Sequence, residues 1–136
     1  LSAFWDVLPT VAELVGQPVP DTIDGVSFVP TLLGKQGQEE HEYLYWEFHE
    51  KKGRVALRQG QWKAVRYNVA VDPDSPLELF DLSTDPGETV NVADQHPEVV
   101  TKMNAQIKSA RTASELPKFN FPLVRKGGGH GGVRKK

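Results

Sequence analysis

Residues able to take part in chemistry cluster in the run Tyr45-Trp46-Glu47-Phe48-His49-Glu50. Glu47 and His49 can exchange hydrogen bonds with a ligand, and Trp46 can stack on a ring. The plainer reading sets Trp46 in a sheet core and His49 in an exposed loop. Arg58 and Lys63 offer cations to an anion, although a solvated or ion-paired place on a strand accounts for both. Asp81, Asp85, Glu88 and Asn91 are oxygen donors at the short spacing a calcium loop uses. A turn explains them better: in Asp85-Pro86-Gly87-Glu88 proline pre-sets one φ angle and glycine tolerates the next. His130 stands among glycines and reads as a tail residue rather than a metal ligand. Cysteine is absent, which excludes disulfides, zinc–thiolate sites and a cysteine nucleophile from the 136 residues.

These side chains need elements to hold them. In Tyr43 to Phe48, Leu44, Trp46 and Phe48 alternate with Tyr45 and Glu47, which predicts a strand. Arg54 to Gln59 and Trp62 to Val69 flank the turn Gln59-Gly60-Gln61 and read as a hairpin. Leu77 to Leu82 is a fourth strand. From about Pro97 to Thr112, Val99, Met103, Ile107 and Ala110 form one apolar helical stripe. Four strands followed by an amphipathic helix predict an α+β fold, a small antiparallel sheet packed by a C-terminal helix. Nearer the start, Asp6 to Val15 reads as a helix capped by Asp6, with Leu8, Val11 and Val15 on one face. That face and the apolar run Leu1 to Trp5 are expected to be buried, within the domain or against a second copy. A loop rich in proline and glycine follows, then one or two helical turns in Phe28 to Leu33, then a polar linker from Lys35 to Glu42. The expected division is 1–34 as the tail end of a larger α/β domain, 35–120 as a small subdomain, and 121–136 as a flexible basic tail rich in glycine.

Composition narrows the partners. The formal net charge of −2 and the 25% of charged residues give no pull toward nucleic acid or an anionic membrane, and neither is expected as a partner. No apolar run reaches the ~18 residues of a membrane span. A chain that opens on Leu1, with Met103 its single methionine, is expected to continue a longer one, so the lack of a signal peptide says nothing of the compartment.

Three stretches in order resemble the C-terminal third of sulfatases. Asp6-Val7-Leu8-Pro9-Thr10 with Leu14-Val15-Gly16, Asp24-Gly25-Val26-Ser27-Phe28 and Leu32-Leu33-Gly34 is similar to the family's D-x-x-P-T-x-x-x-L-x-G, D-G-x-S-L and L-L-x-G segment. Val55-Ala56-Leu57-Arg58 with Gln61-Trp62-Lys63 is similar to its A-V-R and W-K hairpin. Glu78-Leu79-Phe80-Asp81-Leu82, Asp85-Pro86-Gly87-Glu88 and Asn91 are similar to E-L-Y-D-L-x-x-D-P-x-E-x-x-N, and a helix opening on His96-Pro97-Glu98 follows.

The resemblance implies a parent that hydrolyses sulfate esters, expected to be periplasmic, secreted or lysosomal. It implies a formylglycine made from the Cys or Ser of C/S-x-P-x-R, and a Ca²⁺ held by acidic residues. No serine here has proline two positions on and arginine four on, and the family's paired aspartates and Asp-Asn-Gly motif are absent. No catalytic residue, metal ligand or cofactor is therefore assigned to this chain, which is expected to be inactive alone and to partner its own catalytic N-terminal domain. In the family the region around the first strand borders the substrate cleft. That implies a substrate-binding role for Trp46, Glu47 and His49, with Trp46 stacking on a sulfated sugar and the other two bonding its hydroxyls. Two alternatives stay open: a non-catalytic module for anionic glycans, and a part of a related phosphatase or phosphonate hydrolase of the alkaline phosphatase superfamily.

Overall fold

A computed structural model describes residues 1–121. The basic glycine-rich tail and His130 lie outside the described residues. Residues 1–44 with 58–61 make one compact unit, and 45–57 with 62 onward make another.

The first unit is organised by polar groups rather than by its apolar stripe. A 3-10 turn, Phe4–Asp6, leads into α1, Val7–Leu14. Asp6 makes no side-chain cap bond to α1. Its side chain, 1% exposed, instead accepts from the Ala3 N–H at 2.7 Å and the Val26 N–H at 2.9 Å, and meets His41 Nε2 at 2.7 Å. Thr10 works beside it: Oγ1 donates to the Asp6 carbonyl at 2.6 Å and accepts from the Phe28 N–H at 3.0 Å. Gly25 is required where the loop crosses the turn, because a Cβ there would stand 2.3 Å from the Trp5 carbonyl oxygen. The Asp-x-x-Pro-Thr and Asp-Gly-x-Ser motifs are thus two halves of one clip.

Past α2, Val29–Leu32, the segment expected as a linker is also tied down. Gln38 donates to the Ser27 carbonyl at 2.8 Å and accepts from the Thr31 hydroxyl at 2.8 Å. The clip turns Asp6, Pro9, Thr10 and Ala12 inward. The opposite face points out, so burial of the apolar stripe within the domain is not found: Phe4 is 88%, Leu8 56% and Val11 50% exposed.

The expected strands form, each within two residues of its predicted bounds: β1 Leu44–Phe48, β2 Arg54–Gln59, β3 Trp62–Tyr67 and β4 Leu77–Asp81. They make a four-stranded antiparallel sheet in the order β1-β2-β3-β4, with Ala64 opposite Leu79 and Arg66 opposite Leu77. Helix α3, Pro97–Ala110, packs on β4 through its stripe, with Met103 1% and Ile107 5% exposed. The α+β class is as expected. Arg66, also buried, ties the β3–β4 loop to this helix: it donates to the Ser75 and Pro73 carbonyls and to Asn104 Oδ1 at 2.9 Å. Leaving water disfavours its charge and lowers its pKa, and the nearby Asp74 and Asp72 counter that only in part. In the turn after β4 the left-handed φ of 55° falls on Glu88, not on Gly87 as expected. Asp85 holds that conformation by accepting from the N–H groups of Thr89 and Val90 at 2.7 and 2.9 Å.

Two outcomes follow. Ile107→Ala should cost about 2–5 kcal/mol in denaturant unfolding, because it opens a cavity beneath α3. For Asp6, burial raises the carboxyl pKa, but the donors of Ala3, Val26 and His41 outweigh it and hold it below 3.8. A lowered folded-state pKa gives stability that is full above the unfolded value and lost as pH falls through the folded one. Asp6→Ala should therefore destabilise the protein by roughly 3 kcal/mol at pH 7. The gap between variant and parent protein should narrow in unfolding curves taken progressively below pH 3.8.

Candidate functional site

Strand β1 alternates its side chains, and that separates the residues the sequence grouped. Tyr45 and Glu47 point to one face, while Trp46 and Phe48 point to the other, 36% and 44% exposed. Trp46 is therefore not the core aromatic that the plain reading expects. His49 follows the strand end, as expected of a loop residue.

On the first face Glu47 is fully engaged. Its Oε1 accepts from the Tyr45 hydroxyl at 2.7 Å and from Arg111 Nε at 2.8 Å, and its Oε2 lies 3.2 Å from His49 Nε2. The His49 ring stacks on Phe121 at 4.6 Å, with Phe119 tilted at 6.0 Å. The Arg111 guanidinium sits 5.6 Å from the Phe121 ring centroid. Gly53, with φ of 74°, makes room for that ring, since a Cβ would come within 2.4 Å of it. The segment after α3 is thus a strap across the start of the β1–β2 turn. It closes on itself through Asn120, which accepts from the Ser114 N–H at 2.9 Å and donates to the Ser114 carbonyl at 2.8 Å.

Burial pushes the Tyr45 phenol well above its ordinary value of 10.0, and the neighbouring Glu47 carboxylate adds to the shift. Tyr45 is therefore a donor that stays protonated, and Glu47 Oε1 is its acceptor. Arg111, Phe119 and Phe121 were not legible as partners of β1, because nothing local in the sequence links positions so far apart. A cavity of about 180 Å³ lies beside this cluster, walled chiefly by Tyr45, Val55, Val69, Ile107 and Phe121.

The other sequence candidates resolve simply. Lys63 pairs with Glu88 at 2.5 Å. Arg58 Nε is buried without a hydrogen-bond partner among the described residues. Asp81 accepts from the Ser83 N–H, Asp85 from the Thr89 and Val90 N–H groups, and Asn91 from the N–H groups of Leu79 and Ala93. These oxygens serve the turn, and the described residues include no group of three His, Cys, Asp or Glu placed to hold a metal ion.

A family model described as N-sulphoglucosamine sulphohydrolase, C-terminal, matches residues 3–113. The chain belongs to this sulfatase family. The domain is 33% identical over 135 residues to arylsulfatase K of Rattus norvegicus, covering 91% of this chain and 22% of the relative. Among solved structures it resembles a 2-O GAG sulfatase with a TM-score of 0.66 at 28% identity, over 77% of this chain and 23% of that one. It also resembles the phosphonate monoester hydrolase of Agrobacterium radiobacter, with a TM-score of 0.55 at 25% identity, over 76% of this chain and 23% of the other. The sulfatase domain thus spans under a quarter of the length of these proteins.

Glu47→Gln should lower the Tyr45 pKa part of the way back toward 10.0, because burial remains and the negative neighbour goes. The absorbance rise of tyrosinate on titration, with Tyr45→Phe identifying the affected phase, reads this directly. An unchanged titration would show that Glu47 does not act on the phenol.

Proposed function

We propose that the full-length parent is a sulfuric ester hydrolase acting on a sulfated carbohydrate, and that this domain supports its catalytic portion without performing chemistry. The family match over residues 3–113 carries the reading. The nucleophile motif is missing from this chain, so formylglycine and calcium would belong to the parent's remaining portion. The uncovered apolar face of α1, with Phe4, Leu8 and Val11, suits a partner surface of that catalytic portion. Trp46 and His49 are the side chains offered to the sugar. Glu47 serves by orienting the His49 ring, which its Oε2 meets at 3.2 Å while Oε1 holds Tyr45 and Arg111.

A second reading has one observation in its favour: the fold is shared with a phosphonate monoester hydrolase. The two chemistries separate by assay. The purified domain alone should turn over neither an aryl sulfate nor a phosphonate monoester. The full-length parent should turn over the aryl sulfate faster than the phosphonate. Turnover by the isolated domain, or a parent that prefers the phosphonate, would overturn the proposal.

A further inference from the structure

One arginine of the second unit is left without an internal counter-charge. The side chain of Arg54, on β2, makes no hydrogen bond or ion pair among the described residues. Its guanidinium lies 4.9 Å from the Phe48 ring centroid on β1 and 5.8 Å from that of Tyr67 on β3. The three side chains therefore form a row across three adjacent strands, with the cation in the middle. Both rings are substantially exposed, Phe48 at 44% and Tyr67 at 39%. Contact with two rings restrains the guanidinium while leaving its N–H fork unpaired, which lowers the ordering cost of binding an anion.

The adjoining turn adds charge in an unusual backbone. Lys51 and Lys52 both adopt left-handed conformations, with φ of 52° and 69°. That region is disfavoured for residues with a Cβ. It is held by hydrogen bonds from the Gly53 N–H to the Glu50 carbonyl at 3.0 Å and from the Ala70 N–H to the Lys52 carbonyl at 3.0 Å. Both lysines are exposed. Next to these lysines in the chain stands one acid, Glu50, while Glu47 on β1 is paired with Arg111.

We propose that Phe48, Arg54 and Tyr67, with Lys51 and Lys52 at the adjoining turn, form a binding site for a sulfated oligosaccharide. The guanidinium fork matches the paired oxygens of a sulfate group, the ring faces take the apolar C–H face of a sugar, and the lysines meet a further sulfate as point charges. The choice of ligand rests on the reading of the parent as acting on sulfated carbohydrate; the site itself rests on the geometry of the row.

The test is an NMR titration of the full chain with a heparin-derived octasaccharide, and with the same octasaccharide after desulfation, its carboxylates intact. The amides of Phe48, Lys51, Lys52, Arg54 and Tyr67 should shift with the sulfated probe, and desulfation should weaken binding by about tenfold or more. Arg54→Gln should weaken it by about tenfold. Arg54→Lys, which keeps the charge and loses the fork, should also weaken it and decides the matter if the glutamine variant does not fold. Lys102→Gln on α3 should leave it unchanged. An unaltered affinity in folded Arg54 variants, an equal loss in Lys102→Gln, equal binding of the desulfated probe, or shifts confined to other residues would each overturn the proposal. So would sedimentation showing that a dimer, rather than the sugar, covers the row. Aryl sulfate turnover by the full-length parent judges the functional reading separately: a parent that turns it over beside a domain that fails to bind defeats this inference alone.

Discussion

A carboxylate cannot stay ionised with 1% of its side chain exposed unless its oxygens are filled, and Asp6 fills them with one neighbouring group and two from distant stretches. Ala3 comes from the entry to the first helix, Val26 from the loop after it, and His41 from the segment before the sheet. Each partner fixes the path of its own segment, so residues 3–41 are closed around one ion. Thr10 repeats the connection one helical turn on, joining the same turn to Phe28. Gly25 then follows as a steric consequence, because the loop carrying Val26 must cross the Trp5 carbonyl at a distance no Cβ permits.

This constraint decides which face of α1 is buried, and it overrides hydrophobicity. A helix ordinarily turns its apolar stripe to the core. Here Asp6, Pro9, Thr10 and Ala12 are inside, and Leu8 and Val11 are outside. At ~25 cal/mol per Å², leaving such side chains in water forfeits several kcal/mol relative to burying them. The polar clip thus prevails within the unit, and the exposed stripe is a surface suited to other protein. The domain spans about a quarter or less of the length of the curated relatives and solved structures it matches, so those proteins contain ample further surface.

How far the sequence could be read depends on the range of the signal. Alternation in Leu44 to Phe48 and the four-residue rhythm of Val99, Met103 and Ile107 are local, and they located β1 and α3 closely. The turn chemistry of Asp85 and Asn91 is also local and was legible, although the left-handed residue was misplaced by one position, from Glu88 to Gly87. Three features were not legible for one shared reason. Asp6 read as a helix cap because its partners lie 20 and 35 residues away. Trp46 read as core because an aromatic in a strand carries no mark of which face is covered. Glu47 read as a free ligand because Arg111, its counter-ion, lies 64 residues on.

Strand β1 shows how one short element carries two incompatible demands. One face holds a partly buried carboxylate, Glu47, with Tyr45, Arg111 and His49 around it. These contacts hold Glu47 in place, while Arg111 Nη2 is buried without a hydrogen-bond partner among the described residues. The period of two then places Phe48 on the opposite face, where the Arg54 guanidinium lies over the Phe48 and Tyr67 rings with no acceptor among the described residues for its fork. The capacity to bind an anion therefore lies with the residues that the internal network leaves unused. Glu47 sits at the centre of the motif read from the sequence, yet its contribution is to hold the strand and the His49 ring in place.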